Sequence, residues 1–192
     1  FTFSMMVSRF PILPVEQAIY ANAVLGGVPQ YLDYWNTKEP VEKNIKRHLL
    51  SRNAPRLYEA EHFMKSQLRE LSAYNAMLAA LASGKYKLND IYARTGFSRA
   101  KISVYIKNLI ELDIVEKIFS YDAAEHANVQ KGLYHIKDNY LCFWYSYVFP
   151  HLSAILLEED IYETALLPTF PEYMRECFSG VCTEYLKLMG QY

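Results

Sequence analysis

No run of 18 or more apolar residues occurs in this chain of 192, so no membrane-spanning helix is predicted. A basic-then-apolar leader is missing as well. Cysteine is scarce: Cys142, Cys177 and Cys182 are an odd number without a disulfide framework, which favours a reducing cytoplasm. Cys177 and Cys182 are poorly spaced for a shared helical metal site and read as core or partly buried thiols. His48, His62, His126, His135 and His151 are scattered, with no H-E-x-x-H and no pair at ligand spacing; His126, beside Glu125, reads as a surface residue of a loop. Excess charge of one sign is also lacking. The formal net charge is −1, so any nucleic-acid binding has to come from a local patch. Internal repeats and low-complexity segments are absent. What the chain does have is apolar and aromatic mass: 52% hydrophobic residues, 17 tyrosines and 10 phenylalanines. That composition excludes general disorder and supplies a core with hydroxyls at its edges, in one or two domains.

The most informative stretch lies between Lys87 and Ile136. Leu88 and Ile91 place an apolar face on a short helix, and Gly96 permits a sharp turn after it. Ser98 is a good N-cap for the next helix, in which Ile102, Ile106 and Leu109 repeat at helical spacing toward a core. Arg99, Lys101, Lys107 and Asn108 take the opposite face. After Asp113 the pattern suits a strand (Ile114, Val115, Ile118, Phe119), and Leu133, Tyr134 and Ile136 suit its partner across an unusually long loop. With a preceding helix carrying Tyr74, Met77, Leu78 and Leu81, these segments predict a winged helix-turn-helix.

Around this centre the chain reads as helical. Val15, Ala18, Ile19, Ala23 and Val24 make a stripe that Gly26-Gly27 stops, and Pro29 restarts a helix from its first turn. Further helices are predicted over Val41–Leu50 and Leu57–Leu68. The segment from Asp138 to Phe149 is rich in aromatics and apolar nearly all round, and reads as a helix buried on several sides, or one standing between domains. A final helix places Tyr173, Cys177, Val181, Tyr185 and Leu188 on one side. The opening residues, FTFSMMVSRFPILP, show no strong period. A start at Phe1 without an initiator methionine, and an end without a polar tail, suggest a piece of something longer.

The runs GGVPQYLDYW, LYEAEHFMKSQLRE, YNAMLAALASG and above all GLYHIKDNYLCFWYSYVFP resemble a prokaryotic AAA/STAND-type family of archaeal ATPases, over about Val15 to Leu186. The resemblance implies a mainly α fold: a helical ATPase lid (1–68), a winged helix-turn-helix with a two-stranded wing (69–137), and a C-terminal helical extension (138–192) that begins a restriction-nuclease-like domain. It also implies ATP with Mg as cofactor, held mainly by an N-terminal ATPase core. No G-x-x-x-x-G-K-[ST] and no strand ending in an acidic Walker B pair occur, so that core is expected outside this chain. Gly26, Gly27, Val28 and Pro29 resemble the Gly-x-Pro element of such lids, which approaches the adenine; read alone, they make a helix-breaking turn. Related sequences carry a glutamate just after the phenylalanine of CFSGVCTEYL; here Ser179 and Gly180 follow Phe178, and Glu184 lies one turn later, so no catalytic residue is assigned.

Between Lys85 and Lys117 seven basic residues face four acidic ones, a local excess of +3. Ser98, Arg99, Lys101 and Lys107, with Lys131 at the end of the wing loop, are the candidate contacts to double-stranded DNA. The alternative is a solvated or packing face: a protein–protein interaction or scaffold module of a signalling ATPase without direct DNA contact. Expected partners are therefore duplex DNA, the ATPase core and nuclease-like domain of the same protein, and further copies in a homo-oligomer, in the cytoplasm and away from membranes.

Overall fold

The computed structural model describes residues 2–11, 13–119 and 132–190. The chain is mainly helical, with one two-stranded antiparallel hairpin between helices. It divides into two compact units: Phe1–Ala60 with Asn139–Tyr192, and Glu61–Asp138. The second unit is thus inserted, in sequence, into the first.

In the first unit, α1 (Phe3–Arg9), α2 (Val15–Leu25), α3 (Pro29–Leu32) and α4 (Val41–His48) are joined by later helices from the far end of the chain. Helix α2 is the centre. It packs against α1, α3, α4, the helix α9 (Asn139–Phe143) and the long helix α11 (Phe170–Leu188). Its small residues Ala18, Ala21 and Ala23 are almost fully buried, which lets neighbouring helices approach closely. Val15, the first residue of the predicted helical stripe, is 63% exposed because it lies in the first turn of the helix, at one end of the packed surface. Helix α1 was not foreshadowed by any period, and the reason is plain: it buries only Met6. Thr2 caps it by accepting from the Met5 N–H.

The aromatic segment after Asp138 is a core element: Tyr140, Phe143, Trp144, Tyr145 and Tyr147 are all buried. It is not one uniform helix. After α9 the chain makes a π-helical turn, Trp144–Val148, then a 3-10 turn, Phe149–His151, before α10 (Leu152–Leu156). A second π-helical turn covers Tyr162–Leu166. Each π turn runs up to the residue before an X-Pro pair, Phe149-Pro150 and Leu167-Pro168. Proline has no N–H for the carbonyl four residues back and crowds it, so the ladder widens: Phe149 N–H reaches Trp144 O and Leu167 N–H reaches Tyr162 O. The last helix is covered at one end of its predicted side only. Tyr173 is buried, whereas Tyr185 and Leu188 are 61% and 66% exposed.

In the second unit, α6 (Leu71–Ala82), α7 (Leu88–Thr95) and α8 (Arg99–Glu111) pack in succession, and β1 (Val115–Ile118) pairs antiparallel with β2 (Leu133–Ile136), Val115 opposite Ile136 and Ile118 opposite Leu133. Helix α5 (Glu59–Gln67) crosses the boundary between the units along the chain. Tyr74, Met77, Leu78 and Leu81 of α6, Ile91 of α7 and Ile102, Ile106 and Leu109 of α8 form the core, as their spacing predicts. The hairpin is tied in by the Tyr134 N–H, which donates to Tyr86 O at 2.8 Å.

Candidate nucleic-acid interface

The turn between α7 and α8 is built from two local choices. Gly96 adopts φ 70°, the left-handed region that glycine enters without Cβ strain, and its N–H closes α7 on Tyr92 O. Two residues on, the Ser98 hydroxyl accepts from the Lys101 N–H at 3.2 Å and starts α8. Ser98 is therefore occupied in holding the helix. Lys131 and His126 lie outside the described residues.

Arg99 and Lys107 are exposed on α8 and Lys101 is half-buried. None of the three is an isolated cation. The Arg99 guanidinium carbon lies 5.5 Å from the ring centre of Tyr92. Lys107 Nζ is 3.6 Å from Glu111, one turn further along the helix. Lys101 Nζ sits 4.7 Å over the Phe97 ring and 5.2 Å over Tyr105, and 3.9 Å from a carboxylate oxygen of Glu70. Tyr105 Oη donates to that same oxygen, and this bond pushes the phenol pKa up to about 12. Asn108, expected on the open face, turns inward instead and donates to Tyr74 Oη at 2.9 Å. The open side of α8 and its neighbours also carries apolar groups: Tyr92, Val104 and Ile110 are 44%, 56% and 39% exposed.

Glu70 and Tyr105 are the residues that sequence reasoning passed over. A charged residue ahead of α6 gives no sign of which side chain it will meet 35 positions later. A paired reading of exposed tyrosines and carboxylates around the helix start would have been the only signal.

The corner at Gly26–Pro29 belongs to the first unit. Gly26 has φ 65°, is buried, and donates its N–H to Asn22 O. Val28 is extended and Pro29 is the first residue of α3. Gly27, Val28 and Pro29 are half-buried. Such a corner can pack against a planar base but brings no cation to a phosphate and no carboxylate to a metal. Tyr31, two residues after Pro29, has Arg56 lying 4.0 Å over its ring, and Tyr31 Oη and Arg56 Nη1 both donate to Glu59, at 2.6 and 2.8 Å. Arg56 Nε and His48 Nδ1 are buried without a hydrogen-bond partner among the described residues.

Other chemistry is thin. Among the described residues no group of three or more His, Cys, Asp or Glu could hold a metal ion, and no helix is long and apolar enough to cross a membrane. Glu184 is used structurally, accepting from the Phe3 and Ser4 N–H groups at 2.9 Å each. Burial pushes the Cys177 thiol up to about 11, which keeps it protonated at neutral pH and a poor nucleophile.

No family model matches the chain, and no solved structure matches it. It is 30% identical over 183 residues to a protein of Methanocaldococcus jannaschii described as uncharacterized protein MJECL04. The match takes in 92% of this chain but 39% of that protein, so the chain spans about two fifths of its relative's length.

Proposed function

We propose that this chain is a non-catalytic C-terminal portion of an AAA/STAND-type ATP-binding ATPase, whose winged helix couples nucleotide state to the binding of double-stranded DNA. The observation that carries the DNA half is the Ser98-capped helix α8, with Arg99 and Lys101 in its first turn and Lys107 further along, followed by a two-stranded wing. A helix N-terminus with cations in its first turn suits phosphate and base-edge contacts, while the wing adds backbone contacts beside it. The lid half rests on the resemblance and on the Gly26–Pro29 corner, where a left-handed glycine and a half-buried proline offer rigid backbone to an adenine ring. The phosphates and Mg belong, in this reading, to a core that this chain does not supply.

Titration of a labelled duplex at low and moderate salt tests the DNA half. Binding should weaken steeply with salt, by roughly a unit of log affinity per log salt for each phosphate neutralised. Salt-insensitive binding, or none, sinks it.

One observation favours a second reading, a protein-interaction arm. Val104, Ile110 and Tyr92 give the helix-turn-helix surface apolar anchors, and Glu70 and Glu111 already partner two of the three cations. Charges satisfied in this way are weaker lures for phosphate.

A further inference from the structure

We propose that Lys101 Nζ and Tyr105 Oη form a ready-made site for a backbone phosphate of duplex DNA, and that Glu70 fills it as an internal stand-in that the phosphate displaces. This rests on the reading of α8 as the DNA-facing helix. Lys101 and Tyr105 are one turn apart, and their polar ends converge on a single oxygen, Oε2 of Glu70. An ammonium and a phenol meeting at one point from the same helix face are the donor set that a singly charged oxyanion needs.

The donors are fixed and the carboxylate is not. The Tyr105 ring leans on Tyr74 at 4.5 Å, and Tyr74 is itself held by Asn108. The Lys101 ammonium is seated over the Phe97 and Tyr105 rings. Glu70 stands at the N-cap position of α6 yet makes no capping bond, and its side chain is 66% exposed. Rotation about its own bonds takes it into water, where it is solvated at little cost. A phosphodiester brings the same charge to the same two groups, so the exchange keeps the Tyr105 hydrogen bond and the Lys101 ion pair and relieves the repulsion between Glu70 and the approaching strand. Arg99 and Lys107, on the same helix, supply the attraction that brings the strand in. Glu70 thus lowers affinity for DNA by occupying Lys101 and Tyr105, while leaving Arg99 and Lys107 as they are.

The test uses the whole 192-residue chain and a labelled mixed-sequence duplex, titrated at several salt concentrations. Glu70→Ala should bind roughly threefold tighter or more, the scale set by an exposed ion pair and one removed repulsion. In that background Lys101→Gln should weaken binding and flatten the salt slope by about one unit. Tyr105→Phe should weaken it with the slope unchanged, because a donor is removed and no cation. Melting curves close to wild type for all three confirm that folding is not the cause. If wild type and Glu70→Ala bind alike with the same salt dependence, the stand-in role is overturned while the DNA reading of α8 stands. If neither binds, both fall. If inorganic phosphate competes far beyond chloride at equal ionic strength and Glu70→Ala gains nothing on duplex, the site belongs to free phosphate and the proposal is overturned.

Discussion

Tyr173 and Ala23 are joined across 150 residues of sequence: the buried phenol of α11 donates to the main-chain oxygen of α2 at 2.6 Å. The same hydroxyl lies 3.3 Å from Asn139 O, at the start of α9. One side chain therefore ties together three helices of the first unit. Burial drives its pKa well above the usual phenol range, since a phenolate there would have neither water nor a cation. Tyr173→Phe keeps the ring and its edge contact with Phe143 but leaves the Ala23 carbonyl without this donor. The expected loss is about 1–3 kcal/mol, the cost of an unsatisfied buried carbonyl. Urea unfolding of the two chains measures it, and equal midpoints would mean that water replaces the hydroxyl.

His48 should make the first unit sensitive to mild acid. Its Nε2 lies 3.1 Å from Tyr34 O, which fixes the neutral ring with its proton on that nitrogen. Nδ1 is buried without a partner among the described residues, and the ring stacks on Trp35 with an interplanar angle of 3°. Burial, reinforced by Arg47 and Arg56, lowers its pKa from the ordinary 6.5. A depressed folded-state value means that the unfolded chain binds the proton more readily. The contribution to stability is complete above pH 6.5 and is lost as pH falls through the folded value. His48→Gln should lower stability at neutral pH and also remove this part of the slope between neutral and mildly acid conditions. An unchanged slope in the variant would assign the effect to other groups.

The three packed helices and the hairpin of the second unit were legible because their signals are local. Gly96, Ser98 and the spacing of Ile102, Ile106 and Leu109 each speak for their own turn of chain, and neighbouring turns agree. Helix α1 left no pattern because one buried methionine makes no stripe. The widening of the aromatic helix ahead of Pro150 was written in the proline but hidden by the apolar run around it. The exposed end of α11 was not legible for the opposite reason. Tyr185 and Leu188 keep the period of a buried face, and periodicity records which residues share a side, not whether anything covers it. The candidate interface was legible in its cations only. Two of their partners, Glu70 and Tyr92, come from another helix or the segment before one, and only the packed fold decides that they meet the cations.

The turn itself can be tested separately from any ligand. Gly96→Ala forces a Cβ into φ 70° although no atom lies within 4 Å to clash with it, so its cost is conformational, about 1–2 kcal/mol. Ser98→Ala removes the cap bond to Lys101 at about 1 kcal/mol. The two act on different residues of one short turn. Because the two lie two residues apart, thermal melts of the single and double variants should show losses that couple, by about 0.5 kcal/mol or more, and a double variant whose loss equals the sum of the singles would show that cap and turn act independently.

The two readings of the α8 surface make opposite predictions for two substitutions. Arg99→Gln removes a cation that lies against the Tyr92 ring. If α8 meets DNA, affinity for any duplex should fall and the salt slope should flatten by about 0.9, the signature of one fewer phosphate neutralised. Val104→Ser leaves the charge untouched and trims an apolar group that is 56% exposed. On a DNA-facing helix it should change affinity by less than about 1 kcal/mol and leave the slope alone, because phosphate contacts dominate the salt term. If the face instead docks a protein, the order reverses. Trimming an apolar anchor then removes more binding than neutralising a rim arginine stacked on tyrosine, and the effect shows in dissociation rate rather than in salt dependence. Arg99 and Val104 sit on the same helix, so against one duplex a charge-reading surface shows as a salt slope that falls for Arg99→Gln and holds for Val104→Ser, and equal slopes in the two variants would overturn it.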